Sequence, residues 1–212
     1  MAYMQEDTRV ALMSEMEKQI SKSDTEGYIY VFEIRDKNKP GVVQLKVGRA
    51  VNLVKRIDQW CKQCGSKEQV LRGYWPSGMN DDDTMMRGRV VAKEPGPWCH
   101  RLERLMHIEL IDLCTNSPYL HPKFPDVKLE DLDAKPKKAA KREKCPDCEY
   151  SYRQALASWK LMCRVTGGAM HKEIFTFELP DDDERVETVY EDIVRPALAR
   201  WGGFVEMLKE YS

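Results

Sequence analysis

The stretch GYIYVFEI (residues 27–34), followed by DKNKPG (36–41) and VVQLKVGRAVNLVKRIDQW (42–60), decides how this chain of 212 residues is read. The first run is β-branched and aromatic, and Asn, Pro and Gly fill the gap before the second, which predicts a hairpin with a longer loop. A period of two puts Tyr28, Tyr30 and Phe32 on one face and Ile29, Val31 and Glu33 on the other. Gln44, Lys46 and Gly48 share a face of the second strand. Gly48 suits unusual backbone angles or the close approach of another group. Asn52 then reads as the N-cap of a helix with Arg56 one turn in. A phenol, an ammonium and a guanidinium are thereby brought to one end of a small sheet.

Outward from this core, residues 8–22 space Val10, Leu12, Met13, Met16 and Ile20 as an amphipathic helix. Leu53, Ile57 and Trp60 form the stripe of the helix capped by Asn52. Residues 70–76 predict a third strand. Residues 77–97, rich in Gly, Asp and Pro, read as an irregular insertion carrying Arg87 and Arg89. The clearest helix covers 98–114: Leu102, Leu105, Met106, Leu110 and Leu113 make its buried stripe. His100, Glu103, His107 and Cys114 line up beside that stripe, where a ligand or a metal can sit. Residues 117–132 are proline-rich and irregular, tacked down by Tyr119, Leu120 and Phe124. The charged run 133–144 reads as a mobile basic linker, a nuclear import signal or a DNA contact. A helix near 152–165, a strand over 171–179 and a last helix around 186–198, bent or broken at Pro196, complete the chain. The expectation is an α+β fold: a small antiparallel or mixed three-stranded sheet flanked by helices. Residues 1–26 are an N-terminal helix, 27–179 the main domain and 180–212 a helical extension.

Lys and Arg total 34 against 35 Asp and Glu, a net charge of -1, which mildly opposes nucleic-acid binding by the chain as a whole. The charge is uneven, and local field decides whether a phosphate is attracted. No apolar run reaches membrane-span length and no signal-peptide pattern is present. Seven cysteines without such a signal predict free thiols or metal ligands in a reducing, intracellular compartment, nucleus or cytoplasm.

Gly27-Tyr28-Ile29-Tyr30, Lys46-Val47-Gly48, and Arg56 at eight positions beyond that glycine resemble the GIY-YIG nuclease superfamily. Lys-Val-Gly-Arg in place of Tyr-Ile-Gly, Glu103-x-x-x-His107, and His171-x-Glu173-Ile174-Phe175 resemble its phage open-reading-frame, meiotically up-regulated gene 113-like branch with fungal relatives. The resemblance runs from about Gly27 to Phe177. It implies metal-dependent hydrolysis of a phosphodiester, DNA first. Tyr30 is then the general base, Arg56 steadies the phosphate and Glu103 holds a single magnesium or manganese ion. Lys46 stands where a tyrosine is commoner, and an ammonium there favours the phenolate. Arg49 offers a second phosphate contact where other members have histidine. Tyr28, Gly48 and His107 are candidate substrate contacts, and Glu173 is either a supporting acid or a strand-edge charge. Taken singly, Tyr30 is a core aromatic, Arg56 a surface residue and Glu103 a solvated acid; their order and spacing favour the nuclease.

Cys145-x-x-Cys148 in a polar stretch, with His171 after it, is compatible with three zinc ligands, and Cys64 of a second Cys-x-x-Cys can supply the fourth. The run 149–170 between the pair and His171 leaves Cys163 as an alternative. Cys99, Cys114 and Cys163 otherwise read as small buried hydrophobes. His100, Glu103 and His107 as a three-ligand metal centre is a rival reading that lacks protease spacing. From another class, the alternative function is a catalytically inactive nucleic-acid- or protein-binding module with a structural zinc. Without a separate DNA-reading domain, a targeting partner is expected.

Overall fold

The computed structural model describes residues 1–35, 41–63, 68–76, 94–132, 173–179 and 188–211. In chain order the elements are α1 (Glu6–Glu17), β1 (Tyr28–Arg35), β2 (Val42–Ala50), α2 (Leu53–Gln63), β3 (Glu68–Trp75), α3 (Cys99–Asn116), β4 (Ile174–Glu178) and α4 (Arg195–Glu210). A π-helical turn over Tyr190–Val194 leads into α4.

The hairpin forms as its residues dictate, with Tyr30 opposite Gly48 and Phe32 opposite Lys46. β3 pairs antiparallel to β1 on one side, and β4 pairs antiparallel to β2 on the other. The sheet is therefore four-stranded and antiparallel, in the order β3-β1-β2-β4, rather than the expected three strands. The run ending in Phe175 and Phe177, expected as a separate strand, becomes the fourth because those rings pair with Leu45 and Val43 and complete the same apolar face.

Alternation gives the sheet two different faces. Ile29, Val31, Val43, Leu45 and Val47 join Leu102, Leu105, Met106 and Leu110 of α3 in the main core, which also takes in Tyr3, Met4 and Leu12 from the N-terminus and Trp201 and Val205 of α4. Tyr28, Tyr30, Phe32 and Leu53 make a second, smaller core on the opposite face, beneath α2. Asn52 caps α2 as expected: its Oδ1 accepts from Lys55 N at 2.9 Å.

Two helices depart from expectation. Val10 and Met13 of α1 are exposed while Leu12 and Glu15 are buried, so the inward stripe is narrower than the apolar pattern. Glu15 is compensated by Lys18 and Arg104. Pro196 does not break the last helix; it lies in the first turn of α4, where no N–H is needed, and the helix runs on through Gly202.

Candidate functional site

Tyr30 is 1% exposed, and its ring is held over the partner strand at Gly48. A Cβ on Gly48 would fall 2.6 Å from the Tyr30 hydroxyl, so only glycine permits this placement. From α2, Arg56 Nε donates to Tyr30 Oη at 3.1 Å, and its Nη1 donates to Gln59 Oε1 at 3.3 Å. The hydroxyl of a buried phenol thus accepts a charge-assisted hydrogen bond. Tyr28 is buried on the same face, two residues back.

Lys46 shares that face and is 3% exposed. Its Nζ lies 2.8 Å from Glu173 Oε2. Glu173 immediately precedes β4, and its backbone carbonyl accepts from Val47 N at 2.9 Å. Burial acts to raise the Glu173 carboxyl, but the charge of Lys46, then its hydrogen bond, then His107 and Arg56 hold it below the usual range.

α3 contributes the remaining groups. His107 Nε2 is 3.0 Å from the Val47 carbonyl, and because a carbonyl only accepts, that nitrogen carries the proton. Burial pushes the imidazole below its ordinary value, so it is neutral near neutral pH. Glu103 takes Arg49 N on Oε1 at 3.1 Å and Arg49 Nε on Oε2 at 2.9 Å. Burial nonetheless drives its carboxyl up to about 7, with the Glu173 charge adding to the rise and Arg49 opposing it.

Tyr30 and Arg56 are therefore in direct contact, while Glu103 meets neither; it pairs with Arg49 and is linked to the pair through the field of Glu173. Glu173 feels Lys46, His107, Arg56 and Glu103 together, which makes it the junction between the two faces. Sequence reading weighed it only as a supporting acid or an edge charge. Its place depends on β4 lying against β2, and no local spacing carries that information. Asp24 was missed altogether as a cap: its two oxygens accept from His100 N at 2.8 Å and Arg101 N at 3.0 Å, seating the start of α3.

Among the described residues no group of three or more His, Cys, Asp or Glu is close enough to hold a metal ion. His100, Glu103 and His107 do not make a three-ligand centre, because His107 turns to the β2 backbone and Glu103 to Arg49. A lone carboxylate still fits magnesium or manganese, which keep several waters and take one or two carboxylates alongside substrate phosphates. Glu103 has the matching chemistry: a carboxylate with 14% of its side chain exposed, whose proton affinity is raised chiefly by burial. Cys64, Cys145, Cys148 and His171, and with them the zinc reading, lie outside the described residues, as do Arg87, Arg89 and the basic run 133–144. Cys99 is buried as expected, its thiol pushed up to about 11 by burial. No helix among the described residues is long and apolar enough to cross a membrane.

Neither the curated proteins nor the solved structures contain a match to the chain. Residues 42–122, from the start of β2 through α3, match the family model described as Meiotically up-regulated gene 113, the branch that the Lys-Val-Gly-Arg and Glu103/His107 motifs resemble.

Proposed function

We propose that this protein is a metal-dependent endonuclease that hydrolyses DNA phosphodiester bonds, with Tyr30 as general base. The observation that carries the reading is the buried phenol in contact with a guanidinium, Arg56 Nε to Tyr30 Oη at 3.1 Å, on a floor only Gly48 allows. In this reading the ionised Tyr30 hydroxyl takes a proton from the attacking water. The outer nitrogens of Arg56 face the phosphate and balance its growing charge, with Lys46 adding a second positive charge on the same face. Glu103 holds magnesium or manganese, which when bound supplies positive charge to the scissile phosphate and its leaving oxygen. Arg49 serves the phosphate once Glu103 is otherwise compensated. Tyr28 and His107 border the substrate. A structural zinc on Cys64, Cys145, Cys148 and His171 belongs to the same proposal.

The test is nicking of supercoiled plasmid with magnesium by wild type, Tyr30→Phe, Arg56→Ala and Glu103→Ala. The expected result is a loss of at least ~100-fold in each variant with the circular-dichroism spectrum unchanged, the size typical of an acid–base or charge-stabilising group. Cutting that survives all three substitutions overturns the reading. One observation favours the alternative, a binding module without catalysis: both Glu103 oxygens are already engaged by Arg49. Wild type that retains DNA but never nicks it, with any divalent ion, supports that alternative.

A further inference from the structure

We propose that Glu173 is a positioning residue of this site: its carboxylate holds the Lys46 side chain as an ammonium on the sheet face that carries the Tyr30 phenol. The proposal rests on the nuclease reading for its meaning, and on the ion pair for its evidence. It adds a residue that lies outside the matched stretch 42–122, just before β4, and is far from Lys46 along the chain.

Lys46 is almost fully enclosed, its side chain 4% exposed, on a strand whose neighbours on that face are Phe32 and Ile174. An ammonium in such surroundings sheds its proton unless an anion stands against it. Glu173 Oε2, at 2.8 Å, is that anion. The titratable groups that α3, α2 and β1 bring near the pair are engaged elsewhere or carry no negative charge. His107 from α3 is neutral and spends its Nε2 proton on the Val47 carbonyl. Glu103, also from α3, is turned to Arg49. From α2, Arg56 adds positive charge, and from β1 the groups on this face are the Tyr28 and Tyr30 phenols and the Phe32 ring. The carboxylate is itself anchored, because the Glu173 carbonyl caps Val47 N and so fixes the residue beside Lys46 through the backbone. Without Glu173, the enclosed Lys46 loses its proton at lower pH, and the phenol's face of the sheet loses that charge.

The decisive measurement is the titration of the Lys46 ammonium, followed by heteronuclear NMR on lysine-labelled protein. Lys46→Arg assigns the resonance, and no DNA or metal is present. In Glu173→Gln, Lys46 is expected to lose its proton at a pH lower by at least one unit, a tenfold change in its proton affinity, and Glu173→Asp is expected to recover most of the shift. An identical titration in wild type and Glu173→Gln, with the amide spectrum showing β4 still paired to β2, overturns the proposal. Failure of wild type to nick plasmid overturns the nuclease reading and leaves this result standing. If nicking is present, its alkaline limit is expected to move to lower pH in Glu173→Gln, with kcat reduced more than KM is changed. An unmoved pH profile counts against the proposal while the nuclease reading survives.

Discussion

Gly48 and Tyr30 were both legible as special positions, yet the reason for each lies in the other. A methyl group at 48 would meet the Tyr30 hydroxyl at 2.6 Å and its ring carbon at 2.8 Å, and the ring, buried between sheet and α2, has little room to yield. Gly48→Ala is expected to cost ~1–3 kcal/mol in urea denaturation, the range for overpacking a filled core. In the proposed enzyme it also removes nicking, by moving the phenol off Arg56. Glu103 gives a prediction of opposite sign. Its carboxyl, at about 7 against an ordinary 4.5, binds a proton more tightly in the folded than in the unfolded chain. The folded state is therefore favoured at low pH and penalised as pH rises from 4.5 through 7, the penalty being complete above 7. At about 1.4 kcal/mol per unit, that penalty is on the order of 3 kcal/mol. Glu103→Gln is expected to be the more stable protein at pH ~8 and indistinguishable from wild type near pH ~4, a crossover that melting temperatures across this range would reveal.

At the scale of elements, α3 organises the site because it is seated at both ends and along its length. Its apolar stripe was readable residue by residue, and Leu102, Leu105, Met106, Leu110 and Leu113 are all buried. His100, Glu103, His107 and Cys114 are half-buried at its margin, as their angular position required. The start of the helix was not readable. Trp98 at the N-cap makes no side-chain cap bond, and the free N–H groups of His100 and Arg101 are satisfied by Asp24 from a preceding loop. Such a cap has no sequence signature, since it is distant in the chain. Asp24→Ala is expected to lower stability by ~1 kcal/mol, the usual worth of a cap, and Asp24→Asn to lose less. Thermal unfolding monitored by the α3 amide signals would check both. β4 shows the same limitation: its alternation identified a strand, but its place beside β2 follows from Phe175 and Phe177 completing the main core.

Across the whole molecule, one buried carboxylate ties the two chain ends to α3. Glu109, 1% exposed, accepts from Tyr3 Oη at 2.8 Å, Trp201 Nε1 at 2.6 Å and Arg200 Nη1 at 2.7 and 2.9 Å. Burial beside Glu109 also drives the Tyr3 phenol upward, so it remains a donor at any ordinary pH. The N-terminal residues and α4 consequently share the main core with α3. Arg200→Ala leaves the Glu109 charge buried with fewer donors and is expected to cost ~3–5 kcal/mol. Glu109→Gln, which keeps the shape and sheds the charge, is expected to cost less. Guanidinium titrations of the two variants would separate these outcomes, and equal losses would show that packing rather than charge compensation holds the ends.

Features that depend on neighbours along the chain were readable before folding is considered. A period of two settled which residues of β1 and β2 share the face with Tyr30, a helical period settled the buried stripe of α3, and the short reach from Asn52 to Lys55 settled the cap of α2. The motif spacing likewise carried the resemblance to the meiotically up-regulated gene 113 family, whose model matches residues 42–122. The partnerships emerge from the folded chain: Arg56 on Tyr30, Arg49 on Glu103, Glu173 on Lys46, and Glu109 on Tyr3, Arg200 and Trp201. Side chains far apart in sequence meet because separate apolar faces close over a common core. Hydrophobic burial sets that closure without direction, so the polar contacts made at its margins are written in no local pattern.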